Sequence, residues 1–294
     1  MKLAVFTKNL SNPAYAAARL GAERVAAGFG ATVKHFVPQT PDDAAQQAAL
    51  VHEALPWQPD ALVFASVHPT RLDAAIAAVQ AAGVPVFAFV SRMAPGQAKS
   101  FVGASDARLA RDIALHLFEH LRGRAKLAIV EGPADSVTSR ERVQAFDQAV
   151  REAPGVQLVA RCGGAYLREP AHEAFAQLLV QHDDIDAVLA ANDIMAIGVL
   201  DALQAAGRSA TVVGVNAIPQ AVTAIREGRM LATADFNAMQ MCALATECAL
   251  RHLRGEAVPA EIELPVGIVH AGNAAQWDLP YAARPLKTLA ECLA

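Results

Sequence analysis

The stretch Ala190-Ala191-Asn192-Asp193-Ile194-Met195-Ala196-Ile197-Gly198 directly follows the apolar run Ala187-Val188-Leu189. An unbroken apolar run that stops at two short polar residues, with helix formers immediately after, reads as a buried strand handing over to a helix. The Asn-Asp pair then stands at the carboxyl end of a sheet, where open α/β sheets bind ligands. Either residue also serves as a helix N-cap. The pair gains meaning from its company, because further polar residues fall at strand ends elsewhere in the chain.

Outward from this stretch, strand-like runs alternate with amphipathic helical runs. Towards the N-terminus, Leu3–Phe6 leads to a helix over about Pro13–Phe29, then Thr32–Phe36 and a helix over about Asp42–Leu55. Ala61–Ala65, a helix over Thr70–Ala82 and Pro85–Val90 complete a β-α-β-α-β-α-β series. Apolar runs without alternation mark strands covered on both faces, and hence a parallel sheet. After Ser100–Gly103 the pattern restarts with a helix over Ala107–Leu121. Strands at Lys126–Val130, Val156–Ala160, Ala187–Ala190 and Thr211–Val215 follow, separated by helices over about Glu141–Glu152, Pro170–His182, Met195–Ala206 and Pro219–Glu227. Two similar α/β halves therefore succeed one another. From Leu231 on, a short strand, a helix over about Ala238–Arg254 and a strand at Ile262–Val269 are too few for a third domain, so they are expected to complete the two sheets. No low-complexity linker separates the halves, which suits short crossings rather than a flexible tether.

Composition narrows the function classes. The 294 residues are 54% hydrophobic and 18% charged, enough to bury two medium cores without metal or disulfide staples. A net charge of −4 with scattered Lys and Arg speaks against nucleic acid as a partner. Cys162, Cys242, Cys248 and Cys292 show no metal or redox spacing, and Cys242 and Cys248 read as packed thiols on one helix. No apolar run reaches the ~20 residues of a membrane span, and no charged-then-apolar leader precedes the first strand. The expectation is a cytosolic protein, or one whose leader is absent from this chain. Catalysis finds little support: there is no Gly-x-Ser-x-Gly elbow, no phosphate loop, and no glycine fingerprint in the turn Thr7-Lys8-Asn9-Leu10-Ser11-Asn12. His116 and His120 lie four apart on a helix, but no third metal ligand accompanies them. His68, in Val67-His68-Pro69-Thr70, stands at a strand end and reads as packing or helix entry.

Five motifs occur in order: Asn12-Pro13 after the first strand, Ala82-Gly83-Val84-Pro85-Val86 before the fourth, Ser139-Arg140-Glu141-Arg142 opening a helix, Asn192-Asp193-Ile194-Met195-Ala196, and Val213-Gly214-Val215-Asn216. Together they resemble the type I periplasmic sugar-binding proteins, the ribose-binding-like solute-binding proteins of ABC importers, over nearly the whole chain. The resemblance implies an α/β fold of two doubly wound parallel-sheet lobes, joined by a hinge of three crossings near Ala104, Asp235 and Pro265. It assigns residues 1–104 plus 236–265 to an N-terminal lobe and 105–235 plus 266–294 to a C-terminal lobe. A small sugar, polyol or sugar acid would be enclosed between them by hinge closure, with ABC permease subunits as membrane partners, no cofactor, a monomeric state and a periplasmic location. The alternative is the effector-sensing domain of a lactose-repressor-like regulator, whose N-terminal helix-turn-helix is missing here. A cytosolic enzyme of similar layout is a third class.

The family's ligand residues carry over position by position. Asn12 matches a first-lobe amide, and Tyr15 matches an aromatic that packs on a sugar face, whereas the aromatic expected beside it is Ala14. Arg92 and Arg142 match two arginines whose forked donors hold hydroxyls or a carboxylate, with Arg140 the less suited member of its pair. Tyr166 matches a second-lobe aromatic, and Asn192 a hydroxyl-binding amide, with Asp193 expected to cap the helix. Four further positions depart from the pattern: Ser91 and Asn216 stand where the family carries aspartates, Phe236 where it carries a glutamine, and Lys8 where it carries a serine. The expected site then holds Lys8, Arg92 and Arg142 against one acid, Asp235. Unpaired buried cations are costly, so this count points to a ligand that brings negative charge, such as a sugar acid, as the rival of a neutral sugar or polyol. Trp57 and Trp277 lie outside the motifs and read as core or surface residues.

Overall fold

In the computed structural model, which describes residues 1–293, the chain forms β1 (Lys2–Phe6), α1 (Pro13–Gly28), β2 (Thr32–Phe36), α2 (Ala44–Ala54), β3 (Ala61–Phe64), α3 (Asp73–Ala81), β4 (Val86–Phe89) and β5 (Ser100–Gly103). It continues with α4 (Asp106–His120), β6 (Ala125–Glu131), α5 (Val137–Arg151), β7 (Val156–Gly163), α6 (Arg168–Gln181), β8 (Ala187–Ala190), α7 (Asp193–Ala205), β9 (Thr211–Val215), α8 (Pro219–Arg226) and β10 (Ala232–Asp235). Last come α9 (Ala238–Leu253), β11 (Glu261–Glu263), β12 (Gly267–His270) and α10 (Leu289–Leu293). These elements build two compact units: Met1–Ala104 with Asn237–Pro265 and the segment from Tyr281 onward, and Ser105–Phe236 with Val266–Pro280.

Each unit is an α/β layer structure on a six-stranded sheet. The strand order is β2-β1-β3-β4-β5-β11 in the first and β7-β6-β8-β9-β10-β12 in the second. All pairings are parallel except β10 with β12. Strands β3, β4 and β8 are buried at every residue, as the unalternating sequence runs require. In the first unit Phe6 registers with Phe36 on one side and Phe64 on the other. Its ring lies 4.9 and 5.0 Å from theirs, an aromatic floor beneath the loops that leave β1 and β3.

In both sheets the order reverses beside the first-formed strand, between β1 and β3 and between β6 and β8. Loops leaving adjacent strands diverge there to opposite faces and open a crevice at the carboxyl ends.

Three expectations are corrected. The strand expected at Ile262–Val269 is two short strands in two different sheets, because Pro265 has no N–H to continue a ladder and the chain turns there. Helix α5 begins at Val137 rather than Glu141, which puts Arg142 a turn and a half inside it. The segment from Tyr281 onward belongs to the first unit, so the chain passes between units four times instead of three. It is held there by Arg24 donating to the Arg284 carbonyl at 2.7 Å and by Leu289 N donating to Glu247 at 2.8 Å.

Candidate functional site

At the carboxyl edge of the first sheet, Thr7, Lys8 and Asn9 are buried. The β1 turn closes on itself. Asn9 Oδ1 accepts from Asn12 N at 3.0 Å, and the Lys8 carbonyl accepts from Asp42 N at 3.1 Å. Asn12 is 8% exposed and caps α1, its Oδ1 accepting from Ala14 N at 3.0 Å ahead of Pro13. Tyr15, on the first turn of α1, is buried. The loop after β3 is tied by buried Gln47, which donates to the Ala65 carbonyl and accepts from Val67 N, both at 3.0 Å. His68 ties the turn that precedes α3: its Nδ1 accepts from Thr70 N and Arg71 N at 3.2 and 3.1 Å.

Beyond β4 the chain turns through Val90 at φ +67°, a left-handed conformation that strains a β-branched residue. Ser91 follows, and its Oγ is buried with no hydrogen-bond partner among the described residues. Arg92 points elsewhere. Its guanidinium forms a two-pronged ion pair with Glu261 of β11, lies 4.4 Å from the Phe101 ring centre, and leaves the side chain 60% exposed. The first unit thus gathers Lys8, Asn12, Tyr15 and Ser91 at buried strand ends and holds Arg92 on its surface.

In the second unit Arg142 is 3% exposed. Its Nε donates to Asp106 Oδ1 at 2.6 Å, its Nη1 donates to the Ala191 carbonyl at 2.7 Å, and its guanidinium lies 5.0 Å from the Phe236 ring centre. Asp106 was invisible to sequence reading as a site residue. Ser105-Asp106 has the pattern of a helix start, and Ser105 does cap α4, so the carboxylate's second use 36 residues away left no local signal.

The capping role expected of Asp193 falls to its neighbour. Asn192 is the cap, its Oδ1 accepting from Met195 N at 2.9 Å. Asp193 is fully buried and accepts from Thr233 Oγ1 at 2.7 Å and Ile218 N at 3.0 Å, pinning β10 and the start of α8 to α7. Burial pushes its carboxyl up to about 7, with Asp235 adding to the rise, against the pulls of Thr233, Ile218 and Arg142. Gly214 makes the approach possible: a Cβ there would stand 2.4 Å from Asp193 Oδ1.

Tyr166, at φ +59°, lays its ring against Gly132 and places its hydroxyl 3.3 Å from Thr138 Oγ1. Asn216, at φ +124°, is 8% exposed at the end of β9. Asp235 accepts from the Trp277 indole at 3.2 Å, which gives this tryptophan a polar contact that sequence reading did not assign. Positive φ at Val90, Ala165, Tyr166, Asn216, Ala217 and Asn237 concentrates backbone strain at the carboxyl ends of β4, β7, β9 and β10. Such strain collects where a surface is shaped for binding rather than for stability.

The cation count changes accordingly. Arg142 is matched by Asp106 and Arg92 by Glu261, each inside its own unit. The two arginines read from sequence as excess cations thus have carboxylate partners.

Among the described residues, no group of three or more His, Cys, Asp or Glu side chains is placed to hold a metal ion. No helix there is long and apolar enough to cross a membrane.

Four similarities accompany this geometry. A family model described as a periplasmic binding protein domain matches residues 3–257. The chain is 30% identical over 272 residues to the ribose import binding protein of Escherichia coli strain K12, covering 91% of this chain and 90% of that one. It is 30% identical over 241 residues to the D-ribose/D-allose-binding protein of Pseudomonas aeruginosa, covering 78% and 75%. Among solved structures, an ABC transporter solute-binding protein from Mycobacterium smegmatis with bound glycerol superposes with a TM-score of 0.86 at 28% identity, over 94% of this chain and 96% of that one.

Proposed function

Because the chain belongs to the periplasmic binding protein family, we propose that it is the solute-binding component of an ABC importer and takes a small sugar or polyol. The observation that carries this reading is the set of buried and half-buried amide, hydroxyl, carboxyl, guanidinium and aromatic groups at the carboxyl ends of both sheets. Asn12, Ser91, Asn192, Asn216, Asp235 and Arg142 supply donors and acceptors for hydroxyls. Tyr15, Tyr166 and Phe236 supply ring faces for C–H surfaces. Lys8 joins the set from the end of β1. Arg92 is left out of it, since its side chain is exposed and turned to Glu261 and Phe101, whereas Arg142 is buried. An asparagine that caps a helix through its oxygen still has an amide nitrogen with which to donate, so capping and ligand contact are compatible at Asn12 and Asn192.

The names of the relatives support a polyhydroxylated ligand: one binds ribose or allose, and a solved neighbour holds glycerol. The reading requires the ligand to bind one conformation more tightly than the other, as in the hinge motion known for periplasmic binding proteins. Ligand-loaded protein would dock, as a monomer in the periplasm and without a cofactor, on permease subunits in the membrane. Its work is binding and not turnover.

A thermal-shift screen against D-ribose, D-allose, other pentoses and hexoses, and linear polyols tests the proposal. Ligand at ~100-fold over Kd stabilises the folded state by ~2.7 kcal/mol, and at least one compound is expected to reach that shift. Ser91→Ala is expected to weaken its binding several-fold without lowering the ligand-free melting temperature, because the hydroxyl has no protein partner to lose. A flat response to every compound overturns the reading.

A further inference from the structure

The buried pair formed by Arg142 and Asp106 does more than hold a side chain still. Both members are nearly inaccessible, at 3% and 4% exposure, and Nε meets Oδ1 at 2.6 Å. Nη1 is tethered to the Ala191 carbonyl, and the flat guanidinium lies over the Phe236 ring. The fork is therefore fixed in orientation by three different groups. Only one of them, Asp106, carries charge. It lies in the first turn of α4, directly after the Ser105 cap. Asp193 and Asp235 add two more carboxyl groups to the same strand ends. The second unit thus presents oriented N–H donors with their positive charge already cancelled.

We propose that Asp106 is a specificity-determining residue: by neutralising Arg142 while fixing its fork, it makes the site accept uncharged polyols and refuse the corresponding acids. The inference rests on the reading of Arg142 as a ligand contact. A hydroxyl accepts a hydrogen bond from the guanidinium whether or not the charge is compensated. A ligand carboxylate must compete with Asp106 for the same cation and enters a buried region already holding acids, so it loses hydration without gaining a free counter-charge. Removing the charge of Asp106 takes a negative charge from beside Arg142 and so shifts the balance of the site toward an anionic ligand.

Calorimetric titration of wild type and Asp106→Asn with a sugar and its aldonate, D-ribose with D-ribonate and D-allose with D-allonate, decides the matter. Asparagine keeps an acceptor for Nε and removes only the charge. The wild type is expected to bind the sugar and leave the aldonate unbound. Asp106→Asn is expected to lose affinity for the sugar and gain it for the aldonate, moving the preference by about 100-fold, the scale set by losing one partner of a buried charge pair. If the variant binds both ligands more weakly in equal proportion, Asp106 is only structural and the proposal falls. Asp106→Glu, which keeps the charge, is expected to go on excluding the aldonate even if its sugar affinity drops; acceptance of the aldonate by this variant, or by the wild type as readily as the sugar, overturns the proposal without recourse to the Asn variant. A wild type that binds neither member of any pair fails the proposed function itself, a result separate from unchanged discrimination by a protein that does bind.

Discussion

Asp193 is fully buried, and its carboxyl titrates near 7 because burial disfavours the charged form more than two hydrogen bonds and Arg142 can restore it. In the unfolded chain an aspartate titrates near 3.9. Between those values the folded protein binds the proton that the unfolded chain has released, so stability falls as pH rises from about 4 to about 7. At ~1.4 kcal/mol per pH unit the full loss is on the order of 4 kcal/mol. Asp193→Asn keeps an acceptor for Ile218 N and can donate to Thr233 Oγ1, but it cannot ionise. Urea denaturation at pH 5 and pH 8 is expected to show a smaller loss of stability with pH in the variant than in the wild type. Parallel losses in the two proteins would place the titration on another group. The same residue shows what sequence could and could not tell. The Asn-Asp pair announces a strand end and a helix start, but both residues are good caps, and the choice between them depends on Thr233, which lies forty positions away. Arg92 and Arg142 look equivalent as sequence, whereas their surroundings differ: Glu261 and Phe101 meet one at the surface, and Asp106 meets the other in the interior.

Helix α1 contains two glycines whose surroundings are opposite. A Cβ on Gly21 would stand 2.5 Å from the Met239 carbonyl oxygen of α9, a backbone atom that cannot step aside, whereas a Cβ on exposed Gly28 meets nothing within 4 Å. Alanine is the better helix former at either place. Gly21→Ala is therefore expected to lose about 1–3 kcal/mol, because α1 and α9 must move apart. Gly28→Ala is expected to be neutral or to gain up to about 1 kcal/mol through the unfolded chain. Thermal melts of the two variants should move in different directions. A shared gain would mean that α1 and α9 do not pack as closely as the structure has them. Elements of this kind were largely legible, since apolar runs and the Asn12-Pro13 start mark where strands and helices lie. Their partners were less so. Helix α9 is buried from Ala238 to Leu250 on every side, and its sequence pattern does not say that α1 lies on it. The run Ile262–Val269 shows the limit of period reading: its apolar residues suit one strand, and only the missing N–H of Pro265 hints that it serves two sheets.

At the scale of the whole chain, the repeated alternation of strands and helices was enough to call for two parallel-sheet units, because each half carries its own set of buried runs. The final segment had no such signal. Residues beyond Pro280 are short on apolar pattern, and what assigns them to the first unit is a set of specific hydrogen bonds. Gln240 donates to the Lys287 carbonyl at 2.7 Å and accepts from Lys287 N at 2.8 Å, Glu247 accepts from Leu289 N, and Arg24 reaches the Arg284 carbonyl. Buried Leu289 adds apolar cover over α9. At ~1 kcal/mol net for each hydrogen bond, removal of the segment is expected to cost about 2–5 kcal/mol. These contacts all lie within the first unit, so the cost is expected to show there. A chain ending at Pro280 is accordingly expected to lose amide-exchange protection in α1 and α9 while β6 and β8 exchange as in the full chain. It should also melt in two steps, the first unit before the second, since a loss confined to one unit breaks the cooperativity that a single transition needs. Equal loss of protection in both units would show that the segment stabilises the molecule as one body, and undiminished protection of α9 would show that its hydrogen bonds are replaced by water at no cost.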